Sequence, residues 1–180
     1  MNNTGFDGLR ILEFHRFQDD RGVFSKILDQ SFFSANQISA DLKQVNYSVT
    51  NKQGTVRGLH YQRPPHSEYK IITCLHGEVF DVAVDLRKYS KTFLQYFTYH
   101  LKASIPKAIV IPSGFAHGFQ ALADFTTLLY FHDRSYEPEA EAGLNVSDVN
   151  LKIPWPLPIL GLSDRDSNFP NINKKFEGLE

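Results

Sequence analysis

Charged and titratable side chains are concentrated in one stretch, residues 57–70, which reads R-G-L-H-Y-Q-R-P-P-H-S-E-Y-K. Two arginines, two histidines, a glutamate and a lysine stand there between segments with the composition of β-strands. Arginine and lysine bind anions, and histidine can move a proton or ligate a metal near neutral pH. The stretch therefore predicts either a polar hairpin in solvent or part of an active site.

His60 is the first candidate for chemistry in this stretch. Alternation along residues 57–62 places it on one strand face with Gly58 and Gln62. A histidine that points into a barrel can be a hydrogen-bonded core residue, a metal ligand or a proton-transfer group. Strict alternation also points Arg57 to the opposite face, unless a bulge at Gly58 changes the register.

The elements that must position these residues are short strands. Phenylalanine (15) and tyrosine (8) are plentiful, and β-branched or aromatic runs recur between Gly, Pro, Asn and Asp. This spacing is typical of an all-β sandwich or barrel. The predicted strands cover residues 9–14, 44–49, 57–62, 70–75, 78–87, 95–101, 108–111, 118–121 and 126–131. We expect a single domain over residues 1–180, folded as a jelly-roll barrel with a polar tail from about residue 168.

Two other segments are informative about secondary structure. The only early helix that the pattern favours is short, around residues 31–42. Residues 153–160, I-P-W-P-L-P-I-L, contain three prolines, which exclude a helix and a central strand. The barrel is therefore expected to carry few helices.

Composition narrows the class of protein. A chain of 180 residues with 42% hydrophobic and 22% charged residues is typical of one globular domain. The net charge of −1 argues against a general nucleic-acid binder. The single cysteine, Cys74, excludes a disulfide framework and a Cys-rich zinc site, and its setting I-I-T-C-L indicates a buried thiol. No apolar run is long enough to span a bilayer, and no signal-peptide pattern is present, so we expect a cytoplasmic protein.

A second polar cluster lies at residues 111–119, I-P-S-G-F-A-H-G-F, and contains the pattern P-x-G-x-x-H ending at His117. This pattern resembles the second conserved box of the cupin superfamily. Metal-dependent cupins usually carry H-x-H and a later glutamate in the first box, whereas this chain has His60-x-Gln62. Glu68 and His117 would complete only a poorer ligand set. We therefore expect no metal.

Further motifs occur in one order along the chain: R-G-L-H-Y-Q, K-I-I, G-E-V-F-D-V-A-V-D-L-R, I-P-S-G-F-A-H-G-F, L-L-Y and L-S-D-R-D, with D-R-G and Q-V-N-Y-S upstream. Together, over about residues 5 to 170, they resemble the dTDP-4-dehydrorhamnose 3,5-epimerase family. The resemblance implies a cofactor-free cupin-type double-stranded β-helix. It also implies an isomerase that inverts C3, C5 or both in a nucleotide-linked 4-keto-6-deoxy sugar, most simply dTDP-4-dehydro-6-deoxy-D-glucose, in deoxysugar biosynthesis.

The same resemblance implies four catalytic residues. His60 matches the base, and Asp166, the last residue of L-S-D-R-D, matches the carboxylate that orients it. Tyr130 in L-L-Y matches the acid on the far face, and Lys70 matches the cation beside the keto oxygen. Such a set suits the chemistry, because an enolate must be stabilised and the returning proton must arrive from the other side. Asp81 is the alternative partner of His60.

Substrate contacts are implied in the same way. Arg21 and Arg57 match diphosphate-binding positions, and guanidinium groups suit phosphate because their donors form a planar fork. Lys26 stands where the family usually has a glutamate that contacts the nucleobase. An ammonium can only donate, so a base other than thymine, such as cytosine, is an alternative. The remaining contact positions are Gln44, Asn46, His117, Tyr136, Glu141 and Arg165. Tyr136 matches an aromatic that stacks on the nucleobase, but an exposed turn would explain it equally well.

Several alternatives stay open from the sequence. The chain could be a mono-epimerase acting on a CDP- or GDP-linked sugar, a metal-dependent cupin oxygenase or isomerase, or a cupin that only binds a nucleotide sugar. His66 is predicted to be a solvated loop residue. The resemblance implies a homodimer that exchanges N-terminal strands, in which Arg21 would serve the partner's site.

Overall fold

The computed structural model describes residues 2–28, 30–35, 41–173 and 175–180. Within these ranges the chain forms short strands and two short helices. In chain order they are β1 (Asn2–Asn3), β2 (Arg10–Glu13), β3 (Arg16–Asp19), β4 (Gly22–Ser25), α1 (Gln30–Ala35), β5 (Gln44–Thr50), β6 (Val56–Gln62), β7 (Lys70–His76), β8 (Glu78–Asp85), β9 (Tyr96–Lys102), β10 (Lys107–Ile111), β11 (Phe115–Ala121), β12 (Thr126–His132), β13 (Glu141–Gly143) and α2 (Asp164–Ser167).

Two antiparallel sheets form the barrel. The six-stranded sheet has the order β1-β2-β10-β7-β12-β5, the five-stranded sheet has the order β13-β6-β11-β8-β9, and β3 and β4 form a separate hairpin. Every neighbouring pair of strands in these sheets is antiparallel. This is the cupin-type jelly-roll barrel that the sequence predicts, and each predicted strand is confirmed to within a few residues of its ends.

The central strands of both sheets are buried on both faces, which alternation alone does not predict. Between the sheets, Ile72 and Leu128 pack with Val79 and Phe119. On the outer side of the five-stranded sheet, residues such as Val82 pack against the C-terminal segment. Burying an aliphatic side chain stabilises the fold by about 1.5–3 kcal/mol. The C-terminal segment is therefore part of the packing that fixes the sheet.

The structure corrects two expectations about secondary structure. The predicted helix at residues 31–42 is too long: the helix is Gln30–Ala35, residues 41–43 are not helical, and residues 36–40 lie outside the described residues. The hairpin of β3 and β4 around D-R-G was not predicted. Residues 153–160 contain neither helix nor strand, as predicted. In the part of the chain that the structure describes, no helix has the length and apolar character needed to cross a membrane.

Candidate active site

A cavity of about 870 Å³ opens between the two sheets, and most of the predicted site residues line it. His60 on β6 and His117 on β11 reach it from the five-stranded sheet, where the two residues are paired in register. Lys70 on β7 and Tyr130 on β12 reach it from the six-stranded sheet. The cavity is thus faced by basic groups from one sheet and by an ammonium and a phenol from the other.

A β-bulge brings Arg57 and His60 to the same cavity. His60 pairs with His117, but Arg57 pairs with Phe119, so β6 uses one residue more than β11 over this interval. The extra residue reverses the alternation, which places Arg57 on the face that strict alternation denies it. Gly58 allows the bulge because its φ is +135° and a Cβ there would lie 2.5 Å from the Cα of Gly118.

The His60 ring is held by Asp166. Its Nε2 lies 2.9 Å from Oδ1 of Asp166, and because an ionised carboxylate only accepts, Nε2 carries the proton in this contact. The guanidinium of Arg165 lies 3.4 Å from the same nitrogen and also only donates, so the shorter carboxylate contact decides the tautomer. Among the described residues, no hydrogen bond involves Nδ1 of His60. The ring of Phe169 packs edge-on against it, with centroids 5.7 Å apart.

Asp166 is fixed by the short helix α2 and by the bulge. Ser163 caps the helix by accepting a hydrogen bond from the Asp166 amide, a contact of a kind that contributes about 1 kcal/mol. The other carboxylate oxygen accepts from the Gly58 amide at 3.1 Å. Burial raises the pKa of Asp166, but its hydrogen bond to His60 and the charge of that ring outweigh this and lower it to about 2. The carboxylate is therefore ionised at neutral pH.

Asp81 is not the partner of His60. Its Oδ2 lies 2.9 Å from Nε2 of His117, and both side chains are buried. Asp81 is fully buried. The alternative pairing of His60 with Asp81 is wrong because β8 and β11 put Asp81 beside His117 instead.

Lys70 belongs to a buried group of three side chains, which we call the Lys70 cluster: Lys70, Glu68 and His132. The ammonium lies 3.0 Å from Oε1 of Glu68, whose Oε2 lies 2.7 Å from Nδ1 of His132. Burial raises the pKa of Glu68, but the hydrogen bond from His132 and the charge of Lys70 lower it to about 2. Lys70 also donates a long contact of 3.5 Å to the main-chain oxygen of His60.

Tyr130 lies beside two of the histidines that line the cavity, His117 and His132. Its ring is edge-on to His117, with centroids 6.3 Å apart, and stacked on His132 at 6.1 Å. Its hydroxyl lies 3.3 Å from Oγ of Ser48 on β5. Burial raises the pKa of Tyr130 well above its usual value, so the phenol keeps its proton at neutral pH.

A polar network surrounds the cavity mouth. The Tyr136 hydroxyl donates to Glu141 at 2.7 Å, and Glu141 accepts from Arg165 at 2.9 Å through both oxygens. The side chain of Gln44 accepts from the Tyr136 amide and fixes this loop. Arg57 donates to Oγ1 of Thr50 at 3.1 Å. These contacts hold a guanidinium and an exposed aromatic ring at the entrance.

Two predicted contacts lie apart from this cavity. Arg21 is paired with Asp19 at 2.6 Å on the β3–β4 hairpin and is highly exposed. Neither Arg21 nor Lys26, which follows β4, lines the cavity of its own chain. Asn46, by contrast, lines it and lies 3.5 Å from Nε2 of His132. Eleven of the thirteen predicted residues therefore meet in one place, all but Arg21 and Lys26.

Sequence reasoning missed some residues of the site. His132 ends a strand and carries no motif, and Ser48 and Phe169 gave no signal of contact with Tyr130 or His60. Gln62, where metal-dependent cupins have a histidine, is buried and accepts from the Glu137 amide, so it ties down the loop beyond β12. No group of three or more His, Cys, Asp or Glu in the described ranges is arranged to hold a metal.

Two smaller expectations about single residues are confirmed. His66 is exposed, as predicted. Cys74 is buried, and that burial raises the pKa of its thiol to about 11. Neither residue lines the cavity.

Comparisons with known proteins agree with this geometry. The family model described as dTDP-4-dehydrorhamnose 3,5-epimerase matches residues 3–174. An enzyme of that name from Shigella flexneri is 40% identical, over 92% of this chain and 91% of the relative. The Bacillus anthracis enzyme, solved with TDP and PPi bound, superposes with a TM-score of 0.91 at 37% identity and covers 94% of this chain and 97% of that one.

A third similar protein differs in its reaction. It is a 3'-monoepimerase from Streptomyces bikiniensis, solved with dTDP-quinovose, with a TM-score of 0.85 and 33% identity over 92% of this chain and 84% of that chain. It shares the fold, while the family model and the Shigella flexneri relative identify the family. This chain belongs to the dTDP-4-dehydrorhamnose 3,5-epimerase family of isomerases.

Proposed function

We propose that this protein inverts C3, C5 or both in a nucleotide-linked 4-keto-6-deoxy sugar, most simply dTDP-4-dehydro-6-deoxy-D-glucose, in deoxysugar biosynthesis. The observation that carries the proposal is that His60 and Tyr130 reach one cavity from opposite sheets. Inversion needs a base and an acid on opposite sides of the same carbon. A sugar ring lying between the sheets meets both.

In the first step, His60 removes the hydrogen beside the ketone. Nε2 of His60 is bonded to Asp166, so Nδ1 is the nitrogen that takes the proton. The imidazolium that forms is stabilised by the ionised carboxylate of Asp166. The electrons of the broken C–H bond move to the keto oxygen and form an enolate, which the Lys70 ammonium stabilises.

In the second step, the enolate carbon takes a proton from the other side. The Tyr130 hydroxyl supplies it, and its raised pKa keeps it protonated until the enolate forms. The phenolate that results then recovers a proton from solvent, and His60 releases to solvent the proton that it took from the sugar. The reaction leaves the substrate's composition unchanged and inverts one carbon at a time.

The nucleotide end of the substrate is assigned to the cavity mouth. Arg57 presents a guanidinium to the diphosphate, and the exposed Tyr136 ring offers a surface on which a nucleobase can stack. Lys26 keeps open the alternative that the base differs from thymine. Binding studies with dTDP, CDP, GDP and UDP would rank the bases.

We also propose that the protein works as a homodimer. The edge strand β5 exposes Val45, Tyr47 and Val49, which lie on alternate positions of one face. The β3–β4 hairpin exposes Phe17 and Phe24. Unpaired edges and apolar patches of this kind favour association, and a second copy would cover them. The cytoplasmic location expected from the sequence stays a prediction.

The dimer gives Arg21 and Lys26 a place to act, because their hairpin would reach the partner's cavity. Mixing Arg21→Ala with His60→Asn tests this, since each variant alone lacks one part of every site. If the sites are shared, each mixed dimer regains one of its two sites, so an equal mixture in which half of the dimers are mixed regains about a quarter of the wild-type activity. Light scattering of each sample reports the oligomeric state, and a monomer would contradict the proposal.

The reaction itself is tested by proton NMR in heavy water with a 4-keto-6-deoxy nucleotide sugar. Deuterium should enter at C3, C5 or both, and the product's coupling constants give its configuration. Exchange at one centre alone favours the mono-epimerase, a reaction that the Streptomyces bikiniensis neighbour is named for. Tyr130→Phe should keep exchange on the base's side while losing inversion. Absence of enzyme-dependent exchange with the dTDP, CDP, GDP and UDP sugars would overturn the proposed function.

A further inference from the structure

The Lys70 cluster contains two side chains to which the proposed reaction gives no role. Glu68 and His132 are both about nine-tenths buried, as is Lys70. Among the described residues, the polar contacts of the Lys70 ammonium are Oε1 of Glu68 at 3.0 Å and the main-chain oxygen of His60 at 3.5 Å. The contact with Glu68 is the shorter, so it is the one that fixes the position of the ammonium.

A buried carboxylate beside this ammonium needs a physical reason. An enolate stabiliser should be cationic, yet an anion at 3.0 Å offsets part of its charge. A free lysine side chain, however, loses rotamer entropy when it is held in one place. Because Glu68 already holds the ammonium, this entropy is lost before the substrate binds. An ammonium has three donors, so one bond to Glu68 leaves others for the keto oxygen.

His132 fixes the carboxylate in turn. Glu68 lies in the loop before β7, where nothing in the strand ladder holds its side chain. Nδ1 of His132 donates to Oε2 at 2.7 Å, a charge-assisted hydrogen bond of short length. His132 is on β12 and pairs in register with Lys70 on β7. The anchor and the lysine therefore belong to neighbouring, hydrogen-bonded strands.

We propose that Glu68 and His132 are positioning residues that hold the Lys70 ammonium toward the keto oxygen of the sugar. Glu68 bridges the lysine and the histidine, and His132 joins the bridge to β12. The inference rests on the proposed function, because it concerns the same site and the same enolate. It predicts that both residues act through Lys70 and have little effect on the binding of the nucleotide.

The test measures deuterium entry into the sugar at saturating substrate, together with the dissociation constant for dTDP, which lacks the sugar. Glu68→Gln keeps the shape of the side chain, and His132→Asn removes the anchor. Each should lower the exchange rate about 10-fold and leave dTDP affinity within about 2-fold of the wild type. In a Lys70→Met background, each further substitution should change the remaining rate by less than about 2-fold.

The chain offers a matched control. Lys102, Glu78 and His100 form a surface cluster of the same three residue types, in which Nζ of Lys102 and Nε2 of His100 each lie 2.9 Å from one oxygen of Glu78. These side chains are a third or more exposed and do not line the cavity. Glu78→Gln and His100→Asn should leave both exchange and dTDP affinity unchanged. A loss there equal to the loss in Glu68→Gln would overturn the proposal.

Other outcomes also decide against the inference. A Glu68→Gln rate within 2-fold of the wild type would show that the carboxylate does not position the lysine. An equal loss in the Lys70→Met background, or a parallel loss of dTDP affinity, would mean that the pair acts on the fold or on the nucleotide. A higher exchange rate in His132→Gln than in His132→Asn would support the role of His132 as the anchor, because the longer amide of glutamine can donate to Glu68.

A measurement without substrate separates this inference from the proposed function. The ε-ammonium group of Lys70, labelled with ¹⁵N and assigned by its loss in Lys70→Met, should exchange its protons slowly in the wild type. The signal should broaden in Glu68→Gln and in His132→Asn but not in Glu78→Gln. If the wild type exchanges no deuterium into any sugar, the proposed function falls, while this signal still decides whether Glu68 and His132 hold the lysine.

Discussion

In the part of the chain that the structure describes, two His–Asp pairs have the same distance between their partner atoms but lie in different surroundings. In the cavity pair, Nε2 of His60 lies 2.9 Å from Asp166, and in the buried pair, Nε2 of His117 lies 2.9 Å from Asp81. The His60 side chain is 26% exposed and the His117 side chain 6%. The distance between the partners is therefore the same in the pair that faces the cavity and in the pair that is enclosed in the barrel.

The pairs differ in the exposure of the histidine side chain and in the hydrogen bonds that hold the carboxylate. Asp166 also accepts from the Gly58 amide and lies at the start of a capped helix. Oδ1 of Asp81 is buried and has no hydrogen-bond partner among the described residues. A buried carboxyl group of that kind is costly and depends on its one partner. The Asp166 carboxylate is thus held by several donors and faces the cavity through His60, whereas in the described residues Asp81 is held through one oxygen, by His117.

The largest expected effect comes from removing one histidine at a time. His60→Asn should lower the rate of deuterium entry by at least about 10³-fold, because the base is lost. His117→Asn should lower it by about 10-fold, mainly through KM, because its ring lines the cavity without being placed to take the proton. Exchange rates in heavy water and KM give the comparison. Equal losses in kcat would mean that the exposure of the histidine side chain does not distinguish the two pairs.

Removing the carboxylate should affect mainly the rate in the cavity pair and mainly the folding stability in the buried pair. Asp166→Ala should lower the exchange rate by about 10²-fold or more, because the imidazolium loses its stabilising charge. Asp81→Ala should cost about 3 kcal/mol of folding free energy, since it leaves the buried His117 without its partner. Urea unfolding and exchange rates are measured on both variants. If Asp81→Ala proves as stable as the wild type, the buried pair has no structural role.

The strands could be predicted because each carries its own local signal. Residues 78–87 alternate and contain β-branched side chains, and β8 lies within them. The helix predicted at residues 31–42 is too long because a weak helical pattern does not show at which residue the helix ends. The hairpin of β3 and β4 was missed because its strands have four residues each and keep apolar side chains such as Phe24 exposed.

The site was predictable only in part, since its members are distant in sequence. His60 stands out by its neighbours, but Asp166 was selected through the family resemblance, because nothing local distinguishes it from other loop acids. The bulge at Gly58 was conceivable, yet only strand register shows which residue is extra. Glu68 and His132 are 64 positions apart, and their contact depends on how the loop before β7 meets β12.

A smaller effect is expected from the aromatic ring that packs on the cavity pair. Phe169 lies edge-on to His60, and Gly143, which pairs with His60 in register, leaves it room because a Cβ there would lie 2.3 Å from the ring. Phe169→Leu should lower the exchange rate about 5-fold by loosening the imidazole. Its dTDP affinity should not change. No effect on the rate would mean that Asp166 alone orients the base.

The last effect concerns stability in acid. The pKa of Asp166 is lowered to about 2 from an ordinary value of 3.8, as the contacts with His60 and Gly58 outweigh burial. Its carboxylate therefore stabilises the fold fully above about pH 4, and this contribution is lost as the pH falls through 2. Asp166→Asn lacks it at every pH. The difference in unfolding free energy between wild type and variant should thus shrink by up to about 2 kcal/mol between pH 5 and pH 2. Urea titrations at a series of pH values measure this difference, and parallel curves would mean that the ionised carboxylate of the cavity pair serves the reaction without stabilising the fold.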